Sequence, residues 1–377
     1  MMILDVSFEL PLRTFNGVKL KTCFSFCQLK ILEFSNFRLS ETVVSIGISD
    51  GGISDKIYNL LIEGKEEELS CHPSGNFVIQ RLLDNVTDKE LFTKIVETLA
   101  EGMETILSNG CTGVILALVK AGVRLATGQT MILNKLTDAL HCQDDQESLS
   151  PCVVYMRTKE SLTQDSLSVH LHGSLILQQL LLFNKPIKLV RSLLALPSHQ
   201  LSQLLSDPRG CHITDSFMTS GTLGEKSRES LVKGLKGEFV SLACSKHGSR
   251  SLDTLWKHSS IKCKQIMVDD LTYKLDILNS NKFGSFIVKN WFVAEFKRNK
   301  SDWQKLVEKE DKIADAFTDI IGDKVVNKRK SDKTTVTEQP AKKKKEVTDI
   351  VDDWLKPENE VKKEKKKKKA KSYLDDL

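Results

Sequence analysis

Proline is scarce, with 8 residues in a chain of 377. A turn-rich β fold normally spends more, so the shortage favours helices. Paired metal-ligand spacing is also missing. The nine cysteines contain no CxxC pair, and Cys111, Cys152, Cys211 and Cys244 each stand alone. Cys244 with His247, or Cys211 with His212, lacks the second pair that a structural zinc needs. No metal and no cofactor are therefore expected. This cysteine usage fits a reducing compartment, where the thiol packs as a small hydrophobe. No apolar run approaches the ~18 residues of a membrane helix. Met1 to Leu10 carries acidic residues and no basic flank, so it does not read as a signal peptide. GxGxxG, P-loop and HExxH patterns are absent, and His141, His170 and His172 read as loop or repeat-connection residues. A non-enzyme is expected.

Apolar residues make up 40% of the chain, enough to bury a core, and the formal net charge is +5. That charge is unevenly placed. Between Asp323 and Leu377, 18 Lys/Arg face 12 Asp/Glu, an excess of six positive charges. The preceding chain therefore carries about one net negative charge. A near-neutral body argues against simple coating of a phosphate backbone. It leaves room for local basic patches and base-specific contacts.

The body repeats itself. Gly75-Asn76-Phe77-Val78-Ile79-Gln80-Arg81-Leu82-Leu83 matches Gly173-Ser174-Leu175-Ile176-Leu177-Gln178-Gln179-Leu180-Leu181. Gly284-Ser285-Phe286-Ile287-Val288-Lys289-Asn290-Trp291-Phe292 follows the same template. Weaker copies start at Gly210 and Gly248, and a decayed one puts Thr112 at the Gly position, then Gly113 and Val114, with Ala117 in place of the polar residue. The six anchors are spaced 37, 61, 37, 38 and 36 residues apart. The long interval holds an insertion, with polar stretches at 143–147 and 161–168.

On a helix the third, fourth, seventh and eighth positions after the Gly share one apolar arc. The first, second and fifth share the opposite side. The Gly is expected to serve a turn into the helix. Leu231, Leu235, Phe239 and Leu242 form a helical pattern ahead of Gly248, as do Ile266, Leu271, Leu275 and Leu278 ahead of Gly284. The expected unit is helix, short connection, helix. Such units must stack, giving a curved solenoid with a concave surface.

A helical repeat of this length, showing a trio at i, i+1 and i+4, resembles the Pumilio RNA-binding repeat. The likeness covers roughly Ile57 to Ile321, six repeats. The motifs around His72-Pro73-Ser74-Gly75 and His172-Gly173-Ser174, with the insertion before the second, resemble the nucleolar protein nine family more closely. On that likeness the chain corresponds to the C-terminal half of such a protein. The resemblance implies an all-α, Pumilio-like solenoid over 53–321. It also implies nucleolar location, binding of pre-ribosomal RNA, pre-ribosomal particle proteins as partners, and a role in small-subunit rRNA maturation. Residues 1–52, with six Phe in the first forty, depart from the pattern. They are expected to be an irregular leader, and an incomplete gene model would account for it.

Two polar side chains at i and i+4 can hydrogen-bond the edge of one splayed base, while the residue between them stacks. The edge-and-stack sets are Asn76, Phe77, Gln80; Ser174, Leu175, Gln178; Cys211, His212, Asp215; Ser249, Arg250, Asp253; and Ser285, Phe286, Lys289. The family pattern implies uracil for Asn76 with Gln80 and adenine for Ser174 with Gln178. Leu175 is a poor stacker, Asp215 and Asp253 are short, and Lys289 suits phosphate. Gly113, Val114 and Ala117 have nothing to read with. Weaker sequence specificity than in strict reading-code proteins is therefore expected. The competing assignment makes Phe77 and Phe286 core aromatics and the polar positions merely solvated.

Over 322–377 a disordered basic tail is expected. Lys342–Lys345 and Lys365–Lys369 are lysine runs of the kind read as nuclear or nucleolar signals, or as RNA-attracting patches. Between them, Asp349 to Leu355 forms an acidic-hydrophobic island around Trp354. Two alternatives stand beside the ribosomal reading: an Armadillo- or HEAT-like protein-interaction scaffold, and a Pumilio-type messenger-RNA regulator.

Overall fold

The computed structural model describes residues 58–163 and 168–314. The chain divides into two compact units, Met1–Lys297 and Arg298–Leu377. The leader over 1–52 and the tail over 322–377, with its lysine runs and Trp354 island, lie outside the described residues.

In the first unit the regular elements among the described residues are all helical. A π-helical turn, Tyr58–Ile62, precedes α1 (Glu66–Cys71) and α2 (Asn76–Asn85). The second repeat holds α3 (Lys89–Glu101), α4 (Met103–Ser108) and α5 (Thr112–Leu125). The third holds α6 (Gln129–Ala139), α7 (Leu149–Tyr155) and α8 (Leu171–Leu180). The fourth is α9 (Ile187–Leu194), α10 (Ser198–Ser206) and α11 (His212–Thr219). The fifth is α12 (Glu225–Gly234), α13 (Phe239–Cys244) and α14 (Lys246–Lys257). The sixth is α15 (Ile261–Thr272), α16 (Leu275–Ser280) and α17 (Lys282–Asn290), and α18 (Val293–Arg298) follows.

Each full repeat therefore has three helices rather than two. The run from Leu231 to Leu242 breaks where Gly237 takes φ +91°, a left-handed turn that favours glycine. Leu231, Leu235, Phe239 and Leu242 are all buried, so apolar spacing persists across the break. Spacing alone does not register a helix break between two buried stretches.

The trio helices stack in order: α2 on α5, α5 on α8, α8 on α11, α11 on α14, and α14 on α17. The long first helices pair as α3 with α6, α9 with α12 and α12 with α15. Val78, Ile79, Leu82 and Leu83 of α2 are buried, as are Ile176, Leu177, Leu180 and Leu181 in and just after α8. Each contributes about 1.5–3 kcal/mol relative to exposure, against the entropy of ordering the chain. Polar ties set the register. Arg124 donates from Nη1 to the Val86 carbonyl at 2.6 Å and from Nη2 to Leu83 at 2.8 Å, closing the end of the preceding trio helix. Ser220 Oγ does the same for Leu181, at 2.9 Å. Trp256 and Trp291 stack 4.2 Å apart between the fifth and sixth repeats.

The insertion is partly ordered by its own polar groups. Asp145 accepts from Glu147 N at 3.1 Å and Ser148 Oγ at 2.8 Å, starting a 3-10 turn at Gln146–Ser148. Within the long interval, α7 buries Leu149, Cys152 and Val153. Cys142 Sγ lies 3.4 Å from Cys152 Sγ, and the seven cysteines of the described residues are free thiols.

In the second unit a helix spans 300–314. Asn299 accepts from Ser301 N at 3.0 Å and donates to Asp302 Oδ2 at 2.9 Å. Trp303 and Val307, one turn apart, are buried.

Candidate nucleic-acid interface

Each trio is held in place by the glycine before it, and the reason is space. Gly75 is right-handed, with φ −65°, so a left-handed turn is not what requires it. A Cβ there would stand 2.9 Å from the Leu69 carbonyl oxygen. At Gly210 the clash with Leu204 O would be 2.0 Å, at Gly248 with Leu242 O 2.6 Å, and at Gly284 with Leu278 O 2.8 Å. The preceding short helix ends with its carbonyl pressed on the glycine. At Gly173 the carbonyls of Val153 and Val154 play this part, each 2.4 Å from the added atom. Thus α7 occupies the usual place of the short helix, with the extra residues on either side of it.

Three residues before each of these glycines a side chain accepts the glycine N–H. His72 Nδ1 does so at 2.9 Å, His170 Nδ1 at 3.3 Å, Asp207 Oδ1 at 3.1 Å, Ser245 Oγ at 2.8 Å and Asn281 Oδ1 at 3.1 Å. These acceptors satisfy amides at the start of the helix, where no intrahelical partner exists. The pattern is visible in sequence as Leu, two residues, an acceptor, two residues, Gly in five copies. It accompanies every intact anchor.

In the first repeat Asn76 is nearly buried. Its Nδ2 donates to the His72 carbonyl at 2.9 Å and the Pro73 carbonyl at 2.8 Å. Its Oδ1 accepts from Gln80 Nε2 at 2.8 Å. Both Asn76 donors are thus spent within the repeat, and the residue orients Gln80. Phe77 beside it is 56% exposed, not a core aromatic. The third repeat repeats the device. Ser174 is buried and donates to the Arg209 carbonyl at 2.7 Å, while Gln178 Nε2 donates to Ser174 Oγ at 3.0 Å. Leu175 is half-buried.

The fourth and fifth repeats are joined. Asp215 accepts from Arg250 Nη2 at 3.0 Å and Thr254 Oγ1 at 2.7 Å, both on α14, and lies 3.4 Å from His212 Nδ1. Burial pushes its carboxyl up, but the hydrogen bonds from Thr254 and Arg250 and the Arg250 charge outweigh this and hold it below the usual range. Cys211 is buried, and its Sγ faces the Pro208 carbonyl at 3.5 Å. His212 is half-buried and Arg250 exposed. Ser249 Oγ and Ser285 Oγ each donate back to their own helix start, to Lys246 O and Lys282 O at 3.0 Å. Asp253, Phe286 and Lys289 are exposed, Phe286 to 66%.

The decayed second repeat brings no polar reader: Val114 and Ala117 are buried. Thr112 Oγ1 instead meets His172 Nδ1 of the next repeat at 2.8 Å. Thr254 and the Thr112–His172 contact carry no local sequence signal, because their partners lie 39 and 60 residues away.

Residues 35–286 match the NOP9-like PUF repeat domain. The chain belongs to that family. The matched span begins inside the 1–52 segment that the repeat spacing leaves outside the array. The PUF chain is 32% identical over 277 residues to mouse Nucleolar protein 9, covering 66% of itself and 43% of that relative. Human Nucleolar protein 9 is 32% identical over 267 residues, with 65% and 42% covered. Pumilio homolog 23 of Arabidopsis thaliana is 21% identical over 291 residues, with 74% and 38% covered. The PUF chain thus spans less than half the length of these curated relatives. Its fold is similar to that in a solved structure of APUM23 with GGAAUUGACGG, with a TM-score of 0.63, 20% identity, and 70% of this chain and 51% of that one covered.

Proposed function

We propose that this PUF chain binds single-stranded RNA along the face formed by its trio helices, and that the RNA is pre-ribosomal, bound in the nucleolus during small-subunit maturation. The observation that carries the reading is the pairing on α2 of an exposed Phe77 with a Gln80 amide held by Asn76. Exposing a phenylalanine to water has a cost, and stacking a base on it contributes about 1–3 kcal/mol. Gln80 keeps its Oε1 and one N–H for a partner. That acceptor and donor complement the N3–H and adjacent carbonyl of uracil.

Gln178 presents the same amide from α8. Phe286 supplies a second stacking face and Lys289 a cation for phosphate. Arg250 offers a guanidinium plane steadied by Asp215, beside His212. With Cys211 buried and Asp215 engaged, the fourth repeat contributes faces rather than an edge reader. Ser249 with Asp253, and Ser285, complete the row with short polar groups. The nucleolar and ribosomal part of the reading rests on the name shared by the mouse and human relatives and on the lysine runs after Gly322. Pre-ribosomal particle proteins are the partners that this reading implies.

The double change Phe77→Ala with Gln80→Ala tests the reading while leaving the buried Asn76 and its two donor bonds in place. Fluorescence anisotropy with a labelled oligouridylate is expected to show at least tenfold weaker binding, with an unchanged circular-dichroism melt. Equal affinity for the variant and the parent would sink the assignment of this face. Crosslinking in cells with sequencing of the bound RNA separates pre-ribosomal from messenger RNA, and a messenger-dominated profile would overturn the nucleolar part.

A further inference from the structure

The decayed repeat has a glycine at the first trio position, where the other repeats carry Asn76, Ser174, Cys211, Ser249 and Ser285. Gly113 lies inside α5 and has an ordinary helical conformation, so no turn requires it. A glycine there is unfavourable for the helix relative to alanine. What stands over it is the Gln80 amide of the preceding repeat. A Cβ on Gly113 would lie 2.8 Å from Gln80 Nε2 and 3.0 Å from both Cδ and Oε1. The three nearest atoms all belong to that one amide.

We propose that Gly113 is a positioning and specificity-determining residue for RNA: its missing side chain is the clearance in which Gln80 is held over the second repeat. This deepens the reading of Gln80 as an RNA-contacting amide and rests on it. The second repeat then contributes to recognition by what it leaves out. The rest of the row is consistent in size. The buried Ala117 is followed in the next repeat by Ser174, and the short Asp215 and Asp253 are followed by Ser249 and Ser285. The exception is Cys211 after Gln178, a residue with a Cβ whose Sγ is buried against the Pro208 carbonyl.

Because the atoms in the way are the far end of a flexible side chain, Gly113→Ala can be absorbed by swinging Gln80 aside. The substitution also removes a glycine from a helix. Its melting temperature is therefore expected to stay level or rise, while binding of labelled oligouridylate weakens roughly tenfold, to the level of Gln80→Ala, the scale of a lost base contact. The double variant Gly113→Ala/Gln80→Ala is expected to bind no worse than either single variant. If Gly113→Ala instead lowers the melting temperature, restoration of the melt by adding Gln80→Ala supports the same clearance. Normal binding by Gly113→Ala alongside weak binding by Gln80→Ala would overturn the proposal and leave the RNA reading intact. Normal binding by both would remove the role of Gln80 itself, and the inference with it. Additive losses in the double variant would show that Gly113 acts through something other than Gln80 and would also overturn it.

Discussion

Gly210 illustrates how a single hydrogen atom in place of a methyl group sets the geometry of a repeat. A Cβ there meets a backbone carbonyl at 2.0 Å, and a carbonyl at the end of a packed helix has no alternative rotamer. Gly210→Ala is expected to destabilise the protein by more than about 2 kcal/mol, at the upper end of overpacking changes. Gly221→Ala is the control, since nothing lies within 4 Å of its added atom. Thermal melts of the two variants decide the matter, and a Gly210→Ala protein as stable as the Gly221→Ala one would refute the close-packing account. The trios divide by the same kind of detail. Asn76 and Ser174 have their donors spent inside the array, whereas Gln80 and Gln178 keep polar atoms open. A polar residue at a repeated position is thus engaged within the array or left open according to what its neighbours leave it.

Among the elements, the insertion of the third repeat is fastened to the second by a histidine. His141 Nδ1 lies 3.1 Å from Glu160 Oε2 and its Nε2 3.3 Å from Glu104 Oε1 on α4. The hydrogen bonds to Glu160 and Glu104 raise the imidazole above its ordinary 6.5. The folded value exceeds the unfolded one, so this fastening is fully present below about pH 6.5 and is lost as pH rises through the raised value. Glu160 is held below its usual range, by a backbone hydrogen bond first and by His141 second, so its share persists until pH falls into the carboxylate range. Amide exchange across 140–163, corrected for intrinsic rate, is expected to quicken between mildly acidic and mildly alkaline pH. His141→Ala is expected to abolish that change. A pH response identical in the variant would rule out the histidine as the fastening. The Asp215–Arg250 pair joining α11 and α14 is half-exposed, so its value lies in aiming the guanidinium rather than in stability, where such pairs contribute about 0–1 kcal/mol.

At the scale of the whole molecule, charge is unevenly placed along the chain. The repeats carry about one net negative charge, and the excess of six positive charges lies after Gly322. On the proposed reading, long-range attraction to RNA would come from the tail and short-range selection from the trio face. Deleting residues 342–377 is expected to reduce nucleolar accumulation of a fluorescent fusion while leaving the melt of the repeats unchanged. Undiminished nucleolar signal from the truncated protein would refute the role of the lysine runs.

The amino-acid sequence by itself determined the helical class and the apolar arc, which are written in spacings shorter than one helix, and the six anchors, which recur as copies of one short local motif. Val78, Ile79, Leu82 and Leu83 fall in the core where a 100° step puts them. The acceptor three residues before each intact glycine is equally local, at His72, His170, Asp207, Ser245 and Asn281. Only the tertiary structure decided that the repeat has three helices, as where the fifth breaks around Gly237 without disturbing the apolar spacing. It also decided that the anchoring glycines serve close approach, and that Asp215 is engaged from α14. It placed Gln80 over Gly113. The last two are contacts between residues about one repeat apart, made by stacking one trio helix on the next. No periodicity within a helix encodes which side chain of the following repeat will stand above a given residue.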